Sequence, residues 1–323
     1  MGIKAWIMVG ALAWAGTVVA QSPAPAWPAK PLRIVTAFGA GSASDIVARL
    51  LAEDLQAAFH QPVVVENKPG ASGMLAADLV AKAPADGYTL FLSTNTAHSV
   101  NPHLFKKLPY DPIADFTPIA RVCFFPFVLA VPAAAPAQSV AQLVAQGRAP
   151  AGKLSYAFGN STGQIAGAAF SALTRLDVAA VPYKSTPQAL TDLVGGQVSF
   201  LFVDLASSQA QVKAGRVRLL AVTSAQRSPQ APDLPTLAVA AGLPGFDLSA
   251  WVGVLGPPGL PAEITQRVSD QVQRWLARKD IADRLVAMGA DVAPTGAAEL
   301  DRYMREQLQV WGRKVRDAGI TPE

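Results

Sequence analysis

The sequence predicts an α/β protein of two lobes with a ligand cleft between them. Three observations carry this. The order strand, short loop of small or hydroxyl-bearing residues, helix recurs along the chain, and that alternation builds a parallel sheet covered by helices. It recurs in two series, over residues 32–105 and 153–223, on either side of the apolar, proline-broken segment Val122–Val131. The loops at the strands' carboxyl ends are rich in Gly, Ser, Thr and Asn, the edge at which open α/β sheets bind their ligands.

Taken in order, the chain opens on a segment outside this plan. Lys4 is the only charge ahead of the run AWIMVGALAWAGTVVA, and Val18-x-Ala20 meets the small-residue rule for cleavage before Gln21. Residues 1–20 therefore read as a secretory signal peptide, too short for a membrane span, and with no cysteine near the cut for a lipid anchor. The product is expected to be soluble and exported. Gln21–Pro31, with four prolines, is a leader into the first strand.

That strand is carried by Leu32, Ile34, Val35 and Ala37. Gly39 and Gly41 let the chain turn, and Ser44 and Asp45 open a helix whose apolar face is Ile46, Val47, Leu50, Leu51, Leu55 and Phe59. The amides of Gly41, Ser42, Ala43 and Ser44, backed by the helix dipole and by the hydroxyls of Ser42 and Ser44, suit an anion such as a carboxylate or phosphate. Pro62–Glu66 is the second strand, Asn67–Gly73 a glycine-rich loop, Met74–Ala83 a helix, and Tyr88–Leu92 a third strand ending in Ser93–Ser99. A parallel arrangement brings the loops at 39–44, 70–73 and 93–98 to one edge.

The second series repeats the plan. Ser139 caps a short helix to Gln146, and the strand Lys153–Phe158 leads through Gly159-Asn160-Ser161-Thr162-Gly163 into a helix over Gln164–Leu176. A strand follows at Val178–Pro182, a helix from Pro187 to Val194, a strand at Val198–Val203 ending on Asp204, a helix to about Lys213 and a strand at Val217–Thr223. Beyond a loop-rich stretch lie a strand at Phe246–Leu255 and a helix opened by Pro261. The last two helices, Ile281–Met288 and Glu299–Val315, are expected to pad the outside of a lobe. Tyr110 and Trp251 are expected in the core.

Composition removes several functions. Charged residues are 15% of the chain, and no basic run exceeds Lys106-Lys107, so nothing marks a nucleic-acid partner. The single cysteine, Cys123, lies in an apolar run and reads as an inert buried thiol. His98 and His103 have no acidic cluster nearby to complete a metal site.

Two enzyme-like motifs fail on their partners. Gly159-Asn160-Ser161-Thr162-Gly163 fits G-x-S-x-G between strand and helix, but His60, His98 and His103 all precede the serine, whereas a hydrolase of that order places its base after it. Gly39-x-Gly41-x-x-Ser44, with Glu66 beyond, imitates a dinucleotide fingerprint, but Ser44 replaces the glycine needed for close helix packing and export removes the nucleotide pool. No cofactor is expected. What remains is a binding protein rather than an enzyme, with donors in both lobes: Ser42, Ser44, Ser93, Asn95, Thr96, Ser161, Thr162 and Gln164.

Several long segments then carry a family resemblance. GAGSASDIVARLLAEDL at 39–55, QPVVVENKPGASG at 61–73, the stretch APADGYTLFLSTNTAHS…FTPIA at 83–120, VPYKSTPQALTDLVGGQVSFLF at 181–202 and VKAGRVRLLAVTSAQRSPQAPDLPT at 212–236 resemble the periplasmic solute-binding receptors of tripartite tricarboxylate transporters, the Bug proteins. The resemblance covers essentially the whole mature chain. It implies a periplasmic-binding-protein-like fold of type II, closing on a small organic carboxylate, with aromatic carboxylates and dicarboxylates in its range, and delivering it as a monomer to membrane permease subunits. Lobe 1 is expected at 28–124 with 224–323, and lobe 2 at 125–223. A ligand-sensing role with a signalling partner is the alternative, and an exported serine hydrolase the remote one.

By position, the resemblance places the first anion loop on Phe38, Gly39, Ala40, Gly41, Ser42, Ala43, Ser44 and Asp45. The loop after the third strand is Ser93, Asn95, Thr96, Ala97 and His98, and that of the second lobe Phe158, Gly159, Asn160, Ser161, Thr162 and Gln164. Asp204 matches an acid that faces the cleft in relatives and meets an amino group or a water there. The chain departs from the family pattern in the side chains of its 40–44 loop and in the bulk of Phe124, Phe125 and Phe158, which lean towards a ligand with an apolar or ring portion.

Overall fold

The computed structural model describes residues 27–150 and 152–322, so the signal peptide and its cleavage site lie outside the described residues. Strand β1 (Leu32–Thr36), helix α1 (Ala43–Phe59), β2 (Val63–Asn67), α2 (Met74–Ala81) and β3 (Thr89–Thr94) form the first series. β1 pairs in parallel with both β2 and β3, setting Ile34 beside Val65 and Leu90. A short helix α3 (Asn101–Leu104) leads to β4 (Thr117–Pro132). The second series follows as α4 (Val140–Arg148), β5 (Leu154–Phe158), α5 (Ser161–Thr174), β6 (Val178–Pro182), α6 (Thr186–Val194), β7 (Phe200–Asp204), α7 (Leu205–Lys213) and β8 (Val217–Val222). The chain ends with α8 (Leu237–Ala240), β9 (Ser249–Gly256), α9 (Ala262–Ala277), α10 (Lys279–Ala287), β10 (Asp291–Gly296) and α11 (Ala297–Asp317).

The strands run in the order β2-β1-β3-β9-β4-β7-β5-β6, with β10 and β8 also paired to β4. β4 is the seam. Residues up to Pro126 pair with β9, ending on Pro126 opposite Ser249, and from Phe127 onward the partners are β7 and β8, beginning with Phe127 opposite Asp204. Pro126, which the sequence marks as a break, instead lies inside one continuous 16-residue strand. Lacking an N–H, it sits where ladder pairing changes hands and a donor is least needed. One strand therefore belongs to both halves of the structure, and it brings Asp204 to their junction.

Side chains alternate across each half as a pleated strand requires. In the first half, Ile34, Leu90 and Leu92 point into a core with Val47, Leu51 and Trp275, while Val35 and Phe91 point to the other face with Trp251 and Met304. In the second, Phe127, Leu129, Tyr156, Phe200 and Phe202 share one face and Val128, Ala130, Leu201 and Val203 the other. Tyr110, Trp251 and Cys123 are all buried, and burial pushes the Cys123 thiol far up, as befits an inert one.

The C-terminal helix does more than pad one lobe. Leu300 and Met304 pack in the first half, whereas Trp311 and Val315, two turns further along α11, pack against the second. Strand β10 has no counterpart in the expectation from sequence. It is an edge strand carrying Pro294 and a register shift between Val292 and Thr295, and both features erase the alternation that would reveal it.

A cleft lined by helix N-termini

The loop after β1 is built by its own polar groups. Gly41 takes φ +81°, a left-handed conformation that glycine tolerates and other residues resist. Ser42 is the N-cap of α1, its hydroxyl accepting from the Asp45 amide at 3.3 Å. Asp45 turns back into the loop. It accepts from the Gly41 amide at 2.9 Å and from Asn67 Nδ2 at 2.9 Å, and pairs with Arg49 at 3.0 Å. Burial would raise the Asp45 pKa, but Arg49, the Gly41 amide and Asn67 together outweigh it and hold the carboxyl below its ordinary value. Asp45 thus braces the loop and is spent in doing so. Behind it, Thr36 donates to Ser44 Oγ at 3.1 Å, and Ser44 shares a hydrogen bond with Ser42 at 3.3 Å.

Three helices of the second half point their starts at the same place. Asn160 caps α5, accepting from the Gly163 amide at 2.8 Å and donating from Nδ2 to Thr186 Oγ1, at the start of α6, at 3.2 Å. Any side chain at Gly159 would drive its Cβ into the backbone of Ser185 and Thr186, so only glycine lets these two loops lie together. Asp204 caps α7, with Ser207 donating its amide and its hydroxyl to the carboxylate at 2.8 and 3.0 Å. Asp204 is buried, and burial raises its pKa against the opposing effect of those bonds.

Between the two halves lies a cavity of about 30 Å³. Phe38, Ser42, Ala43 and Ser44 line it from the first loop, Thr94, Asn95 and Thr96 from the end of β3, and Asn160, Thr162, Thr186 and Asp204 from the second half. Phe125 and Phe127 of β4 and Ala250 and Val252 of β9 form its apolar wall. Among these residues none is Lys, Arg or His. The first amides of a helix have no carbonyl a turn behind them; apart from those taken by the caps Ser42, Asn160 and Asp204, the starts of α1, α5, α6 and α7 bring unpaired backbone amides and the positive ends of their dipoles to the edge of this space. Such a site holds an anion by hydrogen bonds and dipoles without a formal cation. Across the cavity, Asn95 Nδ2 donates to Thr162 Oγ1 at 2.8 Å.

Other residues singled out from sequence lie elsewhere. Gly39 and Gly41 face Ser185 and Pro187 of the second half, and Ala40 is exposed. Phe158 and Gly159 line an adjoining chamber of about 280 Å³, which shares Phe38 and Asn160 with the cavity and carries Ser72, Tyr183 and Lys184. Gln164 is half-buried on α5, outside the lining. Ser161 is buried, and its hydroxyl donates to Asn101 Oδ1 at 2.9 Å. Ser93, Ala97 and His98 are buried behind the lining.

His98 Nδ1 donates to the Pro112 carbonyl at 2.8 Å, which leaves Nε2 to accept from Ser93 Oγ at 2.9 Å. Stacked on Trp251 and fully buried, the ring has its pKa pushed down to about 4 and is neutral. Both its nitrogens are committed, so it does not serve Ser161. Phe124 packs on Tyr303 and under the Arg121 guanidinium, away from the cavity.

Phe127, Thr186, Ala250, Val252 and Lys184 are additions the sequence reading lacked. Thr186 had a local signal, since it stands at the first position of a helix just ahead of Pro187. Phe127, Ala250 and Val252 had none, because strand register places them, and Lys184 stands in the loop between β6 and α6.

Two α/β halves joined by a shared strand, with helix starts meeting around a polar cleft, define a solute-binding protein for an anion. Residues 47–320 match the family described as the tripartite tricarboxylate transporter family receptor, and the chain belongs to that family. It is 37% identical over 312 residues to a UPF0065 protein of Bordetella bronchiseptica, covering 94% of this chain and 90% of that one. Among solved structures it is similar to Rpa4515 of R. palustris with adipate (34% identity, TM-score 0.89, covering 92% of this chain and 100% of that one). It is also similar to the periplasmic binding protein BugD (30% identity, TM-score 0.87, covering 92% and 100%). MatC from Rhodopseudomonas palustris with bound malate is a further match (31% identity, TM-score 0.83, covering 90% and 100%). No helix among the described residues is long and apolar enough to cross a membrane.

Proposed function

We propose that this chain is the exported receptor of a tripartite carboxylate transporter, capturing a small organic carboxylate in the cleft and delivering it to the membrane permease subunits. The observation that carries this reading is the convergence of the α1 and α5 starts, from opposite halves, on one cavity lined by hydroxyls and amides. A carboxylate there would accept from the amides of Ala43, Ser44 and Thr162 and from nearby hydroxyls. Hydrogen bonds to a charged group contribute about 1.5–3 kcal/mol each, so a handful supports micromolar affinity after ordering costs. Adipate in Rpa4515 and malate in MatC agree with the ligand class.

The ligand's carbon body would lie against Phe38, Phe125 and Phe127, which favours apolar or ring-bearing mono- and dicarboxylates over citrate. Residues 28–124 with 224–323 would move as one lobe and 125–223 as the other, with the exported monomer beginning at Gln21. Thermal-shift screening of the exported protein against carboxylates, followed by calorimetry, tests the reading, since a ligand bound only by the native state raises its stability. If no carboxylate raises the melting temperature, the proposal fails. N-terminal sequencing of the periplasmic protein tests the processing, and a start at Met1 would refute it.

A further inference from the structure

We infer that the ligand carries a hydrogen-bond donor of its own, a hydroxyl or an ammonium on its carbon chain, and that Asn95 reads it. This rests on the carboxylate-receptor reading and narrows it. Asn95 is fully buried at the cavity; its Nδ2 is engaged with Thr162 Oγ1 at 2.8 Å, and its Oδ1 is buried with no partner. Buried polar atoms in folded proteins are almost always paired, so an orphan in a binding cavity marks a bond made on binding. The neighbours do not supply it. No protein donor, the hydroxyls of Thr94, Ser42 and Ser44 included, lies within hydrogen-bond reach of Asn95 Oδ1, and Asn160 Nδ2 is turned to Thr186.

A second acceptor lines the same cavity. Each Asp204 carboxylate oxygen takes a bond from Ser207, and an oxygen of this kind has capacity for another. An unsubstituted carboxylate brings acceptors only. It would satisfy the helix amides but leave Asn95 Oδ1 unmet and set its own charge near that of Asp204. A hydroxyl or ammonium beside the carboxylate meets both acceptors, while the carboxylate keeps the helix starts. A site built to bond such a group discriminates strongly against the analogue that lacks it, because its buried acceptor is then left unpaired.

The test uses matched ligands and calorimetry on the exported protein: succinate, malate and aspartate in one set, phenylacetate, mandelate and phenylglycine in the other. In at least one set, the hydroxylated or aminated member should bind at least about tenfold more tightly than its unsubstituted partner. Asn95→Leu should bring that ratio towards one. Thr162→Val, which breaks the cross-cleft bond but keeps Asn95 Oδ1, should weaken both members alike and preserve the ratio. Asp204→Asn separates the two donor classes, since losing its charge should lower the preference for an ammonium over a hydroxyl.

An unsubstituted member that binds as tightly as its partner in both sets would overturn the inference, as would a ratio that survives in Asn95→Leu. That first outcome would also fit the amide turned over, with its NH₂ facing the ligand carboxylate. The ranking on the parent protein needs no variant, so poor folding of Asn95→Leu does not shelter the idea. If nothing in either set binds and the wider carboxylate screen is also blank, the receptor reading falls and takes this inference with it.

Discussion

Ser161 Oγ donates to Asn101 Oδ1 at 2.9 Å, and Asn101 Nδ2 donates in turn to the Ser72 carbonyl at 2.9 Å. The start of α5 is thereby tied to the glycine-rich loop of the first half, where Ala71 and Ser72 hold positive φ values of 46° and 50°. Ser161 was expected from the sequence as a donor to the ligand. Its hydroxyl instead holds the two halves together, leaving its backbone amide at the helix start as its means of meeting a ligand.

Ser161→Ala should therefore weaken binding of every ligand by a common factor, with no change in their ranking. Losing one buried hydrogen bond and leaving Asn101 Oδ1 unmet costs about 1–3 kcal/mol, or roughly five- to a hundredfold in affinity. Asn101→Ala should act alike, and the double variant should lose less than the sum, because both remove one link. Calorimetry with three carboxylates of different length checks this. A loss confined to one ligand would return Ser161 to direct contact.

Asp45 predicts an acid-sensitive loop. Its folded pKa lies below the ordinary 3.8, so its contribution to stability is present above that value and is lost as pH falls through the folded value. Asp45→Asn should lower stability near neutral pH by about 1–2 kcal/mol, through weaker bonds to Arg49 and Gly41. The gap between parent and variant should close in strong acid. Thermal melts from pH 7 to pH 2 measure it, and a gap independent of pH would rule out the charge as its source.

Asp204 predicts the opposite sign. Burial raises its folded pKa above 3.8, so the folded state holds the proton more tightly and stability declines as pH rises from the unfolded value through the folded one. Asp204→Asn keeps the cap of α7, because an amide oxygen also accepts from the Ser207 amide, and it removes the buried charge. The variant should melt higher than the parent at pH 7 without ligand, with the gain vanishing at about pH 3. An unchanged melting temperature at pH 7 would show that Asp204 carries no charge penalty.

The local parts of this design are written in the chain. Leu32 to Phe59 states its strand, turn and helix because alternation, glycine and the helical apolar face are short-range signals. The start of α5 is subtler: Gly163 weakens the helical signal, so the expected helix begins at Gln164, whereas Asn160 caps it and Ser161 is its first residue. What neighbours cannot state is register. Phe127 and Val252 reach the cavity because β4 changes partners at Pro126, and Ser161 loses its hydroxyl to Asn101, a residue 60 positions away. Those outcomes depend on long-range pairing, and the sequence carries no local trace of them.

The adjoining chamber sets the last expectation, on ligand length. The cavity has no basic lining residue, and Lys184 is the one basic side chain lining the chamber beyond Phe38. A dicarboxylate with one end at the helix starts can send the other past Phe38 towards Lys184, provided its chain is long enough and its body apolar. Citrate cannot, because its three carboxylates branch from a compact centre and two would face hydroxyls and Asp204 with no cation near. Adipate should therefore bind more tightly than citrate, whose hydroxyl does not offset two further carboxylates set against hydroxyls and the Asp204 carboxylate. Lys184→Ala should weaken adipate by about two- to fivefold, the scale of an exposed ion pair worth under ~1 kcal/mol, and leave hexanoate, which lacks the second carboxylate, unchanged. The adipate effect should shrink as salt is raised, because an exposed pair is screened. Calorimetry of both ligands on parent and variant, at low and high salt, decides it. Equal losses for adipate and hexanoate would place Lys184 outside the path of the second carboxylate, and tighter binding of citrate than adipate would show that Phe38, Phe125 and Phe127 do not select the ligand.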